Sequence, residues 1–248
     1  MRIRALSYQV GFLLATGIVW EGLVRFGLAD PFYFSSPVLI AQRLAQDLRA
    51  GDLLTHMGVT LVEILLGFAA GIAGGCATAV FFSTRKTLMD ATLPVLALLN
   101  GIPRIAIAPV LILWFGIGLL SKVVLVFSAV YFIVAFTVLE GILAIDQGLI
   151  NHARLLGAAR HHVLAHIYFP AVLGLLISSL RVSLGFAAIG AVIGEYLAST
   201  GGVGWMIARS QGMFDSTGVF AGLVSLAVMI AALDAGAGRI QRSVPWNK

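Results

Sequence analysis

An all-α fold that crosses a membrane six times is the reading this sequence supports, and three observations carry it. Hydrophobic residues fill 60% of the 248 positions and charged residues 11%, whereas a soluble domain holds about 25% charged residues. With a mean hydropathy of +1.01, the chain has far more apolar surface than one buried core can hide from water. The apolar residues also gather into six runs, each near the roughly 20 residues that a helix needs to cross a bilayer. Lys and Arg sit mainly between these runs.

Taken in order, the first run covers residues 7–28. Arg2 and Arg4 before it would also suit a secretory signal. The run, however, exceeds a signal core, and no small-x-small cleavage site precedes a charge. Residues 30–52 are more polar, and Ser35, Ser36 and Pro37 form a helix-start signal. Leu39, Leu44 and Leu48 then give an amphipathic stripe, which predicts a short helix lying at the membrane surface. The second run, 56–82, contains Gly67, Gly71, Gly74 and Gly75, small residues that let a neighbouring helix approach closely. The third, 88–114, is interrupted by Pro94, Pro103 and Pro109 and is therefore expected to be kinked or broken, with freed backbone groups that must be covered or line a cavity. Runs over 122–142, 171–196 and 218–238 complete the set. A single membrane-embedded unit over 1–248 is expected, with its core at about 53–240 and no repeat or separate soluble domain.

Orientation follows from the bias of basic residues toward the cytoplasm. With the N-terminus inside, the inner segments hold Arg2, Arg4, Arg85, Lys86, Arg154, Arg160, Arg239, Arg242 and Lys248, and the outer ones Arg25, Arg43, Arg49, Lys122 and Arg209. Nine against five places both termini in the cytoplasm. The same dispersal argues against nucleic-acid binding despite a net charge of +5. Cys76 is the single cysteine and lies in an apolar run, so neither an intrachain disulfide nor a thiolate metal cluster is expected.

Residues 146–170 form the longest polar stretch on the inner side and carry no acidic residue after Asp146. Their pattern predicts a helix through Leu149, Ala153 and Leu156, a break at Gly157, and a second helix ending before Pro170. The result is a compact knob, suited either to a soluble partner or to a plain connection. His161, His162 and His166 place two histidines four apart, a spacing that can hold a metal. No HExxH glutamate accompanies them, so no metal is assigned. The histidines are read as part of a partner contact or a solvated face.

The loop resembles the EAA motif of ATP-binding-cassette (ABC) importer permeases: Ala153 falls on the second alanine, Gly157 on the glycine, Ile167 on the isoleucine and Pro170 on the proline. Asn151 stands where the family has glutamate, and His152 replaces the first alanine. GIPRIAIAPVLILWFGIGLLSKVVLV at 101–126, SLRVSLGFAAIGAVIGEYLAST at 179–200 and GGVGWMI at 201–207 resemble the nitrate, sulfonate and taurine branch of these permeases. The resemblance implies a type I ABC importer permease fold with a cytoplasmic coupling-helix loop, located in the inner membrane. It also implies a second permease subunit, normally an identical copy, an ABC ATPase dimer and an external solute-binding protein. Asn151, Ala153, Arg154, Gly157, Ala158, Arg160, Ile167 and Pro170 are then the expected ATPase-coupling residues. No nucleotide site Gly-x-x-x-x-Gly-Lys-Ser/Thr is present, so the chain is expected to be no enzyme and to bind no cofactor, ATP and Mg being used by the partner.

Asn100, Arg104, Arg181 and Glu195 are the candidates for a pathway or gate. An arginine at membrane depth costs about 2.5–3.5 kcal/mol on insertion scales and faces a cavity or a partner. Arg104 and Arg181 therefore have two readings, attraction of an anion along the pathway or a structural role, in which they pair with Glu63, Glu140 or Glu195 or reach the interface by snorkelling. Glu195 precedes Gly201, Gly202 and Gly204 and could shape an external gate. The expected solute is small and anionic. A membrane-embedded enzyme using the loop histidines and a secondary transporter acting alone are the alternatives.

Overall fold

The computed structural model describes residues 2–243, all helical or connecting. Lys248 lies outside them, as do the side chains of Arg2, Arg4, Lys86 and Arg242. Helix α1 (Arg2–Arg25) leads into a short α2 (Pro31–Phe34) and the surface helix α3 (Pro37–Ala50). The Ser-Ser-Pro signal works as expected. Ser36 Oγ accepts from the Leu39 N–H at 3.2 Å while Pro37 occupies the first turn, where its missing N–H costs nothing. The face of α3 that turns inward differs from the expected leucine stripe. Ile40 is buried and Arg43 pairs with Asp47 on the same side, while Leu39 and Leu48 stay exposed.

Three long helices make the centre: α4 (Asp52–Ser83), α7 (Leu119–Leu143) and, after the loop, α10 (Phe169–Leu197). Helix α4 packs on α7 along the predicted glycine stripe. A Cβ at Gly67 would stand 2.5 Å from Val126 Cβ, and one at Gly71 would stand 2.7 Å from Val130 Cβ. Only glycine allows the two backbones this close, which is how membrane helices gain packing where lipid supplies no hydrophobic drive. Val126, Val130 and Val134 from α7, Ile64 from α4 and Ala187 from α10 form the fully buried core.

The third run is broken as expected. Helices α5 (Lys86–Gly101) and α6 (Arg104–Phe115) meet at 93°. Ile102 is extended because the following Pro103 disfavours helical backbone at the residue before it. Between α7 and α10 come α8 (Gln147–Leu155), α9 (Arg160–Val163) and a π-helical turn (Leu164–Tyr168). The expected helix end before Pro170 is not found. The Phe169 N–H reaches back five residues to Leu164 O, and this wider register accommodates the proline that lacks an N–H, so residues 160–197 form one rod of 38 residues. Helices α11 (Val203–Gly212) and α12 (Ser216–Ser243) close the bundle, with α12 against α3 and α11.

Among the described residues, four helices are long and apolar enough to cross a membrane, and the bent α5–α6 pair makes a fifth. Helix α1 is not among them, since Ser7, Gln9, Thr16 and Glu21 dilute its apolar content.

Candidate functional site

At one end of the bundle, the α8–α9 connection is built around a glycine. Gly157 has φ +86°, the left-handed region that side chains avoid, and no atom would obstruct a Cβ there, so backbone conformation alone selects glycine. The Ala158 N–H bonds to Ala153 O at 3.0 Å and the Gly157 N–H to Arg154 O at 3.0 Å, the paired bonds of a Schellman stop. At the other end of α8, Asp146 Oδ1 caps the Gly148 N–H at 2.7 Å. The buried face differs from the expected one. Ile150 is inside, while Leu149 is exposed and Leu155 and Leu156 stand 84% and 89% exposed at the tip. Asn151, Arg154 and Arg160 are exposed, Ala153 and Ala158 partly covered, and Ile167 and Pro170 lie half-buried where the π turn joins α10. His161, His162 and His166 are exposed, with His166 Nδ1 3.1 Å from His162 O.

The break in the third span brings Asn100 and Arg104 together. Arg104 Nη1 donates to Asn100 O at 3.0 Å and to Ile102 O at 2.7 Å, and Nη2 donates to Asn100 Oδ1 at 2.8 Å. The guanidinium also lies over the Phe132 ring, 5.3 Å from its centre. Arg104 thus satisfies carbonyls freed by the break and places positive charge at the C-terminal end of α5, which the helix dipole favours. No carboxylate pairs with it among the described residues, and its Nε is buried without a partner. Arg181 also avoids the glutamates expected for it. It grips Asp234 of α12 in a two-pronged ion pair, Nε–Oδ1 2.5 Å and Nη2–Oδ2 2.6 Å. The Asp234 carboxylate offsets the Arg181 charge.

Glu195 lies at the opposite end from the loop and is fully buried. Its Oε1 accepts from Thr60 Oγ1 and its Oε2 from the Gly204 N–H, both at 2.7 Å. The Thr60 hydroxyl in turn accepts from the Val203 N–H at 2.8 Å. A carboxylate is held here because the Gly204 N–H in the first turn of α11 points at it, with the positive end of the helix dipole behind that N–H. The glycines follow from that arrangement. Gly202 has φ +100°, and any Cβ on it would run into the Glu195 carboxylate, while one on Gly204 would meet Val192 O at 2.7 Å. His56 Nδ1 accepts from the Gly202 N–H at 3.1 Å.

Sequence reasoning missed two parts of this cluster. Lys122 was placed outside, yet it is 1% exposed and its ammonium donates to Ile117 O. Glu63 is 2% exposed, and its Oε2 has no donor partner among the described residues. A signal was present: Glu63 heads the stripe Glu63, Gly67, Gly71, Gly75 at four-residue spacing, so it lies on the face that meets α7. Glu195 is brought to Thr60 and Glu63 and is not brought to Arg104 or Arg181.

The chain is similar to known proteins in sequence and in fold. A family profile described as "Binding-protein-dependent transport system inner membrane component" matches residues 53–245. A riboflavin transport system permease protein of Chloroflexus aurantiacus is 33% identical over 98% of this chain and 91% of its own length. A taurine transport system permease protein of Escherichia coli is 29% identical over 98% of this chain and 91% of its own length. Among solved structures, a chain of the inward-facing MetNI methionine ABC transporter superposes with a TM-score of 0.62 at 20% identity, covering 78% of this chain and 94% of that one, a likeness of fold.

Proposed function

Because the chain belongs to the binding-protein-dependent transport system inner membrane component family and is thus an inner-membrane permease subunit of an ABC importer, we propose that it passes a small anionic solute inward, driven by a separate ATPase. Helix α1 is the first of six spans in this reading, and both termini lie in the cytoplasm. The α8–α9 knob then faces the cytoplasm and docks on the ATPase dimer, which uses ATP and Mg. An external binding protein delivers the solute to the other face, and a second copy of the chain completes the pathway.

One observation carries the docking role. Leu155 and Leu156 stand almost fully exposed on a glycine-stopped helix end, beyond the bundle and outside the apolar spans. Two leucines left in water forgo about 1.5–3 kcal/mol each, which a partner's cleft would recover. The rigid Schellman turn presents them in one orientation, which lowers the ordering cost of binding.

The two relatives named above are called riboflavin and taurine permeases, riboflavin being an uncharged polyhydroxylated heterocycle and taurine a sulfonate. The anionic reading rests on Arg104, whose charge is paired with no carboxylate among the described residues and sits at the break in the third span.

A single experiment tests both parts. The importer is expressed as a complete operon product, and uptake of labelled nitrate, taurine and riboflavin is measured for wild type, Gly157→Arg and Arg104→Gln. Gly157→Arg is expected to lose the copurifying ATPase and all uptake, whereas Arg104→Gln keeps the ATPase but lowers anion uptake at least tenfold, about 1.4 kcal/mol. Undiminished uptake by Gly157→Arg would remove the docking role. Undiminished anion uptake by Arg104→Gln, or riboflavin as the sole solute carried, would remove the anionic reading.

A further inference from the structure

Under the α8–α9 knob, a cavity of about 540 Å³ opens between the ends of α4, α7 and α10. That volume lies within the roughly 300–1,000 Å³ of ligand pockets. Its floor is apolar, with Val80 from α4, Val138 and Ile142 from α7, and Val172 and Leu176 from α10. Its rim is polar and basic. Arg154 of α8 and Arg160 of α9 reach it, beside Ser83 and Thr84 at the end of α4. No carboxylate lines it, and neither arginine forms an ion pair with any described residue.

Depth and charge together define the occupant. The apolar runs of α4 and α7 end at Ser83 and Leu143, the level where hydrocarbon gives way to lipid head groups. The floor therefore lies at acyl-chain depth and the two guanidinium groups at head-group depth. Guanidinium matches the oxygens of a phosphodiester two at a time, which a lysine ammonium does not. Basic pockets between spanning helices on the cytoplasmic side suit acidic lipid head groups.

We propose that this cavity binds one anionic phospholipid of the inner leaflet, its phosphodiester on Arg154 and Arg160 and one acyl chain along the floor. Because the two arginines flank the Gly157 turn, the lipid ties α8 to α9 and both to the ends of α4 and α7. The knob that engages the ATPase is then braced by the membrane itself, and coupling depends on acidic lipid content. The inference rests on the orientation proposed above, but lipid binding in detergent does not depend on orientation or on the ATPase.

The test is native mass spectrometry of the full-length permease in a neutral detergent, titrated with phosphatidylglycerol, phosphatidylcholine or inorganic phosphate, and compared with R154Q/R160Q and Val172→Trp. Wild type is expected to retain one phosphatidylglycerol in preference to phosphatidylcholine and to ignore phosphate. R154Q/R160Q should weaken phosphatidylglycerol about thirtyfold, the effect of two arginines near a charged lipid surface. Val172→Trp, which fills the floor and leaves both arginines in place, should lose the lipid as well. Equal retention of both lipids, stoichiometric phosphate binding, or phosphatidylglycerol held as tightly by R154Q/R160Q would each overturn the proposal. So would a double variant that keeps the lipid and loses the ATPase, since the arginines would then belong to the ATPase contact. Lipid binding as expected by a chain that captures no ATPase would uphold the lipid site and remove the docking role.

Discussion

Gly202 carries a demand that its neighbours cannot share. Its backbone, φ +100° and ψ 167°, belongs to a region open almost only to glycine, and the Glu195 carboxylate fills the space where a Cβ would go. Gly202→Ala should lower stability by about 1–3 kcal/mol from the backbone alone, with more from the clash, read as a fall in the melting temperature of the purified permease. Adding Glu195→Ala removes the clash and leaves the backbone strain, so the double variant should lose less than the sum of the two single losses. Additive losses would mean that the two residues do not meet. The sequence made Glu195 and the three glycines visible as neighbours in the chain. The partners Thr60 and Glu63, more than 130 positions away, were beyond the reach of local pattern. Asp234 escaped for the same reason, and with it the ion pair that offsets the Arg181 charge.

Among elements, the close-packed face of α4 was the most legible, because close approach leaves its mark as glycine at four-residue spacing, although the partner α7 was not readable from it. Gly71→Val would force Val130 away from α4, an overpacking that costs about 1–3 kcal/mol. Gly58→Val, on the same helix with nothing within 4 Å of its Cβ, is the matched control and should leave the melting temperature unchanged. Equal effects of the two would refute the close packing. The broken third span was equally readable, since proline acts through its own ring and on its neighbour. The continuity of residues 160–197 was not. A proline reads as a stop unless the helix widens its register, and the residues of the π turn carry no signature of that widening. The face of α3 was misjudged because leucines were counted and Arg43 was not. That arginine points inward because two aspartates receive it.

For the molecule as a whole, the tie between α3 and the start of α12 sets an acid limit. Burial alone would raise the Asp215 carboxyl, but the Gly218 N–H at 2.9 Å, Arg43 Nη1 at 2.7 Å and the Thr217 backbone together hold it below its ordinary value of 3.8. A carboxyl depressed on folding contributes stability that is complete above the unfolded value and fades as pH falls through the folded one. Wild type should therefore melt higher than Asp215→Asn at pH 6, and the difference should shrink below about pH 4. A difference that persists unchanged at pH 3 would dissociate the tie from the ionised carboxyl.

The rod formed by residues 160–197 begins in the loop and ends just past Glu195. At about 1.5 Å per residue, its π turn lies about 9 Å from Arg160 and about 44 Å from Glu195. Pivoting at that turn gives arms of about one to five, so an ångström of travel at Arg160 sweeps Glu195 through about 5 Å. Such gearing multiplies travel and divides force by the same factor. Were the π turn a pivot, the anchorage of Glu195 to Thr60 and Gly204 would feel about one fifth of the force applied at the loop.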